Sequence, residues 1–161
     1  MMGGFGAIVR FEMRYYLSRI STWVYFGIFF GLAFFFMCAY GGATEGMDLG
    51  NNRLIANSPH RIATLMAVFS LVMVPVTAAL AGNAVYRDFE AGIHPLLFSS
   101  GVRKRTYWAG RYAGAVLANL VVALSVPLGL FLASVMPFLV AERVGPIRAA
   151  GYVQGLLLFT L

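Results

Sequence analysis

The chain has 161 residues, of which 60% are hydrophobic and 11% charged, with mean hydropathy +0.80. Soluble domains carry about a quarter charged residues, so an ordinary soluble domain is excluded and a membrane protein is expected. The net charge of +6 then reads as the Lys and Arg excess of cytoplasmic loops, not as a nucleic-acid footprint.

The first element is amphipathic. Phe5, Ile8, Val9, Met13, Tyr16, Leu17 and Ile20 share one helical stripe, with Arg10, Arg14 and Ser18 opposite. This predicts a helix over about residues 4–20 lying in the cytoplasmic membrane interface. Glu12 falls inside the apolar stripe. Burying it unpaired would be costly, so it has two readings. It snorkels or pairs with Arg19, or it pairs with a cation of a later charged loop such as Arg87.

Three uncharged runs follow, each near the roughly 20 residues that a spanning helix needs. They predict spans over about 22–40, 62–86 and 112–135. A further apolar run starts near 150 and continues to Leu161, which reads as a truncated fourth span of a longer protein. The first run is too long for the core of a cleavable signal peptide, which is about 7–15 residues. Cys38 is the single cysteine, so an internal disulfide is excluded, and it reads as a small buried residue. The expected fold is all-α: a polytopic helical membrane protein with an N-terminal interfacial helix.

Basic residues set the orientation. Arg10, Arg14 and Arg19 precede the first span, and Arg87, Arg103, Lys104, Arg105 and Arg111 follow the second. The other two loops hold only Arg53 and Arg61, and Arg143 and Arg148. Positive charge marks the cytoplasmic side, so the N-terminus and the 87–111 loop are expected inside. Small-xxx-small pairs at Gly27/Gly31, Ala78/Gly82, Gly110/Gly114 and Gly151/Gly155 offer close helix approach. Pro75 and Pro127 fall inside spans and favour kinks.

Catalytic constellations are missing from the sequence. Its single lysine, Lys104, is not in a Gly-x-x-x-x-Gly-Lys-Ser/Thr phosphate loop, and His60 and His94 form no His-Glu-x-x-His zinc motif. Asp88, Glu90 and His94 offer fewer oxygen ligands than a hard-metal site gathers. No span centre holds an ionisable relay group. The chain is therefore expected to be no enzyme and to hold no metal or cofactor itself.

Function is sought in the loop after the second span. Arg87, Asp88 and Glu90 mark the exit, Gly92 loosens the helix, and Pro95 restarts one. Leu96, Leu97 and Phe98 make a short apolar knob, and Arg103-Lys104-Arg105 with Tyr107 and Trp108 leads back to the membrane. The loop reads either as an ordinary return with headgroup anchors or as an apolar plug for a groove on a soluble partner.

The run Arg87-Asp88-Phe89-Glu90-Ala91-Gly92, then Leu96-Leu97, then Ser99-Ser100-Gly101-Val102-Arg103 and Gly110-Arg111-Tyr112, resembles the cytoplasmic loop of ABC-2 type ABC transporter permeases. It departs from that pattern at Ile93, where the family has Thr, and at Gly101, where it has Pro. Phe11-Glu12, Arg14-Tyr15, Asn57, Pro59, Met136-Pro137 and Gly145-Pro146 resemble the branch often fused to a C-terminal zinc aminopeptidase domain.

The resemblance implies one permease transmembrane domain across residues 1–161, the N-terminal part of an ATP-driven exporter in a bacterial inner membrane. It implies a coupling segment made of Arg87, Asp88, Glu90, Gly92, Leu96, Leu97 and Phe98, seated in a separate ATP-binding subunit that holds the ATP. It also implies an interfacial helix carrying Glu12, Arg14 and Arg19, and pairing with a second permease subunit or half. Two other readings remain: the membrane anchor of a zinc aminopeptidase whose catalytic domain lies beyond this chain, and a small membrane-structural protein.

Overall fold

The structure is a computed structural model that describes residues 3–43, 55–90, 92, 103–146 and 148–160. Every regular element among the described residues is helical. The elements are α1 (Gly3–Leu17), α2 (Ile20–Tyr40), α3 (Pro59–Glu90), α4 (Lys104–Ala123), α5 (Ser125–Ser134), a 3₁₀ turn at Ala141–Arg143, and α6 (Ala149–Thr160). Three stretches are long and apolar enough to cross a membrane: Ile20–Tyr40, Pro59–Asn83 and Lys104–Ser134. With about 30 Å of hydrocarbon to cross, an all-helical chain of this kind is compatible with membrane embedding. α6 has 12 described residues, short of a crossing by itself.

α1 ends at Leu17, so Ile20 opens α2 instead of closing α1. α3 and α4 are longer than the apolar spans they contain: α3 continues past Tyr86 to Glu90, and α4 begins at Lys104. Hydropathy marks where a helix is apolar, whereas backbone hydrogen bonding continues through the flanking charged turns. α3 begins with Pro59 just inside its first turn, and the Ser58 hydroxyl accepts from the Arg61 N–H at 3.4 Å. Pro suits that position because its missing N–H has no helical partner there anyway.

The two internal prolines behave differently. α3 runs unbroken through Pro75. The helix carrying Pro127 breaks at Leu124, between α4 and α5. Pro127 cannot donate to the Ala123 carbonyl, which removes one bond of the ladder at that point. The Ser125 hydroxyl donates to the Val122 carbonyl at 2.6 Å beside the break.

Contacts divide the chain into two compact units, Met1–Trp23 with Val74–Val121, and Val24–Met73 with Val122–Leu161. In the first, α1 packs on the C-terminal half of α3 and on α4. In the second, the core is apolar and aromatic: Phe69 is 4% exposed and meets Phe29 and Phe36 edge-on. Glycines tighten it. A Cβ on Gly129 would lie 2.6 Å from the Phe30 carbonyl, and one on Gly155 would overlap the Met66 sulfur. Asn57 and Gly145, both singled out in the sequence, hydrogen-bond twice: Asn57 Nδ2 donates to the Gly145 carbonyl at 2.7 Å, and Gly145 N–H donates to Asn57 Oδ1 at 2.9 Å.

Candidate functional site

The first unit is organised around a carboxylate. α1 buries a narrow face on which Glu12 and Tyr16 are fully enclosed, with Ile8, Val9 and Met13 half-buried beside them. The i, i+4 spacing puts Ile8, Glu12 and Tyr16 one above another. Other residues of the predicted apolar stripe stay outside: Phe5, Leu17 and Ile20 are exposed. The face that packs on protein is therefore narrower than the apolar stripe and centred on its one acidic residue.

α4 approaches this face closely because it presents glycine there. A Cβ on Gly110 would fall 2.8 Å from Ile8 Cγ2, and one on Gly114 would overlap the Glu12 side chain. This is the role that small-xxx-small spacing serves between membrane helices. Gly27, Gly31 and Gly82 meet nothing within 4 Å, so that spacing marks no contact at those sites.

Glu12 receives two guanidinium groups on a single oxygen. Arg87, from the last turn of α3, donates to Oε1 from Nη2 at 2.6 Å. Arg111, from α4, donates to the same oxygen from Nη1. Arg19, the nearer cation in sequence, stacks on Tyr15 with its guanidinium carbon 4.6 Å from the ring centroid. Of the two readings of Glu12, the structure shows the pairing with Arg87, and it adds Arg111.

Aromatic rings support both cations. The Arg87 guanidinium carbon lies 3.9 Å from the Tyr15 ring centroid, and Arg111 Nε donates to the Tyr107 hydroxyl at 3.1 Å. Desolvated cation–π contacts contribute about 2 kcal/mol or more, so Tyr15 helps to hold Arg87 where Glu12 needs it. Tyr16 closes the floor, its hydroxyl donating to the Leu80 carbonyl at 2.8 Å. Thr77 on α3 donates to Asn119 Oδ1 on α4 at 2.9 Å.

Burial raises the Glu12 carboxyl above its ordinary value, and the Arg87 guanidinium offsets only part of that rise. Burial, with the Glu12 charge adding to it, pushes the Tyr16 phenol up to about 12, so it stays a hydrogen-bond donor at neutral pH. The cluster carries two cations against one anion. Glu12 Oε2 and Arg87 Nη1 are buried with no partner among the described residues. Such an arrangement is costly to disturb, because removing one member leaves the others charged and desolvated.

The remaining predicted site residues are placed as follows. Arg14 is exposed on the outer side of α1. Asp88 lies within the last turn of α3, and Glu90 ends that helix, exposed. Gly92 takes φ +63°, a left-handed conformation that glycine adopts without a Cβ penalty and that turns the chain just past α3. Leu96, Leu97 and Phe98 lie outside the described residues, as does His94. Among the described residues no group of three metal-ligating side chains converges.

Arg111, Gly110, Gly114 and Tyr16 are the site residues that sequence reasoning did not assign. Arg111 enters the sequence reading only through orientation and the Gly110-Arg111-Tyr112 step of the resemblance. The signal that could have found it was the Gly110/Gly114 pair, since close approach of α4 there brings the intervening Arg111 onto a neighbouring helix. Comparisons with protein-family profiles, with curated proteins and with solved structures match nothing to this chain.

Proposed function

We propose that this chain is the permease part of an ATP-driven ABC exporter, with the 87–111 loop as its contact with a separate ATP-binding subunit. The observation that carries this reading is the double anchoring of Glu12. Arg87 stands where the loop leaves α3, and Arg111 stands where it has returned into α4. Both hold one carboxylate on α1. A force on the loop is thereby delivered to α1, and through Leu17–Ile20 to the start of α2. The triad ties α1, α3 and α4 at one carboxylate, which is the contiguous connection such a transfer needs.

In this reading the chain performs no chemistry. The partner binds and hydrolyses ATP, in keeping with the missing phosphate loop. Arg87 has a second role as a loop anchor, beside Asp88, Glu90 and Gly92. Leu96, Leu97 and Phe98 supply the apolar plug. The N-terminus and the loop face the cytoplasm of a bacterial cell, by the distribution of Arg and Lys. A second permease subunit or half completes the transporter.

The test is co-purification of this chain with the ATP-binding subunit it is proposed to dock. Leu96→Asp with Leu97→Asp is expected to lower recovery of the ATPase at least tenfold, while the membrane chain still elutes as the parent does. Unchanged recovery overturns the docking role. Arg111→Gln is expected to keep recovery but to lower the stimulation of ATP hydrolysis. Equal stimulation would remove the triad from the coupling path.

A further inference from the structure

The second unit holds a cavity of about 400 Å³ between α2 and the first half of α3. Tyr40, His60 and Arg61 line one end, and Leu32, Val68 and Val72 reach the other. The wall between is apolar except for Thr64, whose hydroxyl donates to the His60 carbonyl at 2.9 Å. From His60 to Val72, α3 rises about 18 Å, close to the thickness of one hydrocarbon leaflet, about 15 Å. The length and the apolar wall of the slot suit an extended hydrocarbon chain.

Charge selects the head of that chain. The Arg61 guanidinium carbon lies 4.3 Å from the Tyr40 ring centroid, which holds the guanidinium over the ring at the mouth of the slot. Among the described residues no carboxylate pairs with Arg61. Guanidinium groups bind phosphate through paired N–H donors, and His60 is exposed at the same end. An ammonium headgroup would meet cationic and aromatic groups there and no described anion. Val68 and Val72 are 53% and 52% exposed, so a chain can enter sideways from the bilayer.

We propose that this groove binds one anionic phospholipid, its phosphate on Arg61 and one acyl chain laid from Tyr40 to Val72. The site is separate from the Glu12 cluster and stands whether or not the 87–111 loop docks an ATPase.

The test is lipid retention by the full chain. The protein is reconstituted in vesicles of equal phosphatidylglycerol and phosphatidylethanolamine, extracted in mild detergent, and weighed intact by native mass spectrometry. The parent is expected to keep one phosphatidylglycerol, at least fivefold over phosphatidylethanolamine. Arg61→Gln is expected to lose that preference. Val68→Trp, which fills the slot from an exposed position without touching the charge, is expected to lose the lipid itself. Either variant suffices if the other fails to elute as the parent does. Equal retention of both lipids by the parent means ordinary bilayer contact and overturns the proposal, as does unchanged retention in both variants. A lipid-free dimer crosslinked through Val68→Cys overturns it in favour of a second copy.

Discussion

The two compact units of this chain are built from different chemistry. The first is centred on Glu12, Arg87 and Arg111, with tyrosines stacked and hydrogen-bonded around them. The second is held by Phe29, Phe36 and Phe69, by glycine contacts, and by the Asn57–Gly145 pair. Apolar side chains gain little by leaving lipid, so packing between membrane helices rests on close contact and hydrogen bonds. A buried ion triad depends on charge and on hydrogen-bond direction, while close-packed rings and glycines depend on shape.

Removing the carboxylate should break the first unit most severely. Glu12→Gln leaves two guanidinium groups facing a neutral amide, and loss of about 3–5 kcal/mol is expected. Unfolding of the purified chain in mixed micelles measures it. Replacing Glu12, Arg87 and Arg111 together by Met removes every unpaired charge, so the triple variant should recover most of that loss. If Glu12→Gln costs less than about 1 kcal/mol, the triad is solvated and the contrast between the units fails.

The second unit should respond to shape instead of charge. Gly129→Ala drives a methyl group against the Phe30 carbonyl, a backbone atom that no rotamer change can move. Overpacking of that kind costs about 1–3 kcal/mol. Gly155→Ala meets the Met66 sulfur, at the flexible part of a long side chain, and should cost distinctly less. Equal losses at both positions would mean that the helices of this unit shift freely, and that glycine contact is not what fixes them.

The sequence made the architecture legible and the site only partly so. The three spans were read from their uncharged runs, and Glu12 stood out because a carboxylate interrupted an apolar stripe. Its partners lie 75 and 99 residues away, a separation that helical periodicity does not address. The four small-xxx-small pairs looked alike in sequence. Gly110 and Gly114 meet α1, Gly151 and Gly155 meet α3, while Gly27 and Gly31 face open space. Spacing shows that a smooth face exists, and only the fold decides whether a neighbour uses it. The last turn of α3 and the first turn of α4 are helical but charged, so hydropathy marks the apolar span and not the whole helix.

The finest probe of the comparison is Tyr16→Phe. It keeps the ring and its edge contact with Tyr15, and it removes one hydroxyl from the floor of the charged cluster. The Leu80 carbonyl lies within α3 and has a helical N–H available, so the substitution leaves no bare acceptor. A net loss of about 0.5–1.5 kcal/mol is expected, at the low end of that range. The ion triad should persist, because neither arginine bonds to Tyr16. Unfolding of Tyr16→Phe and Glu12→Gln, alone and combined, separates the two contributions. Additive losses would show that the hydroxyl merely anchors α1 to α3. A combined loss well below the sum would show that Tyr16 and Glu12 act as one network, which would extend the directional element of the first unit from the arginines down to the α3 backbone.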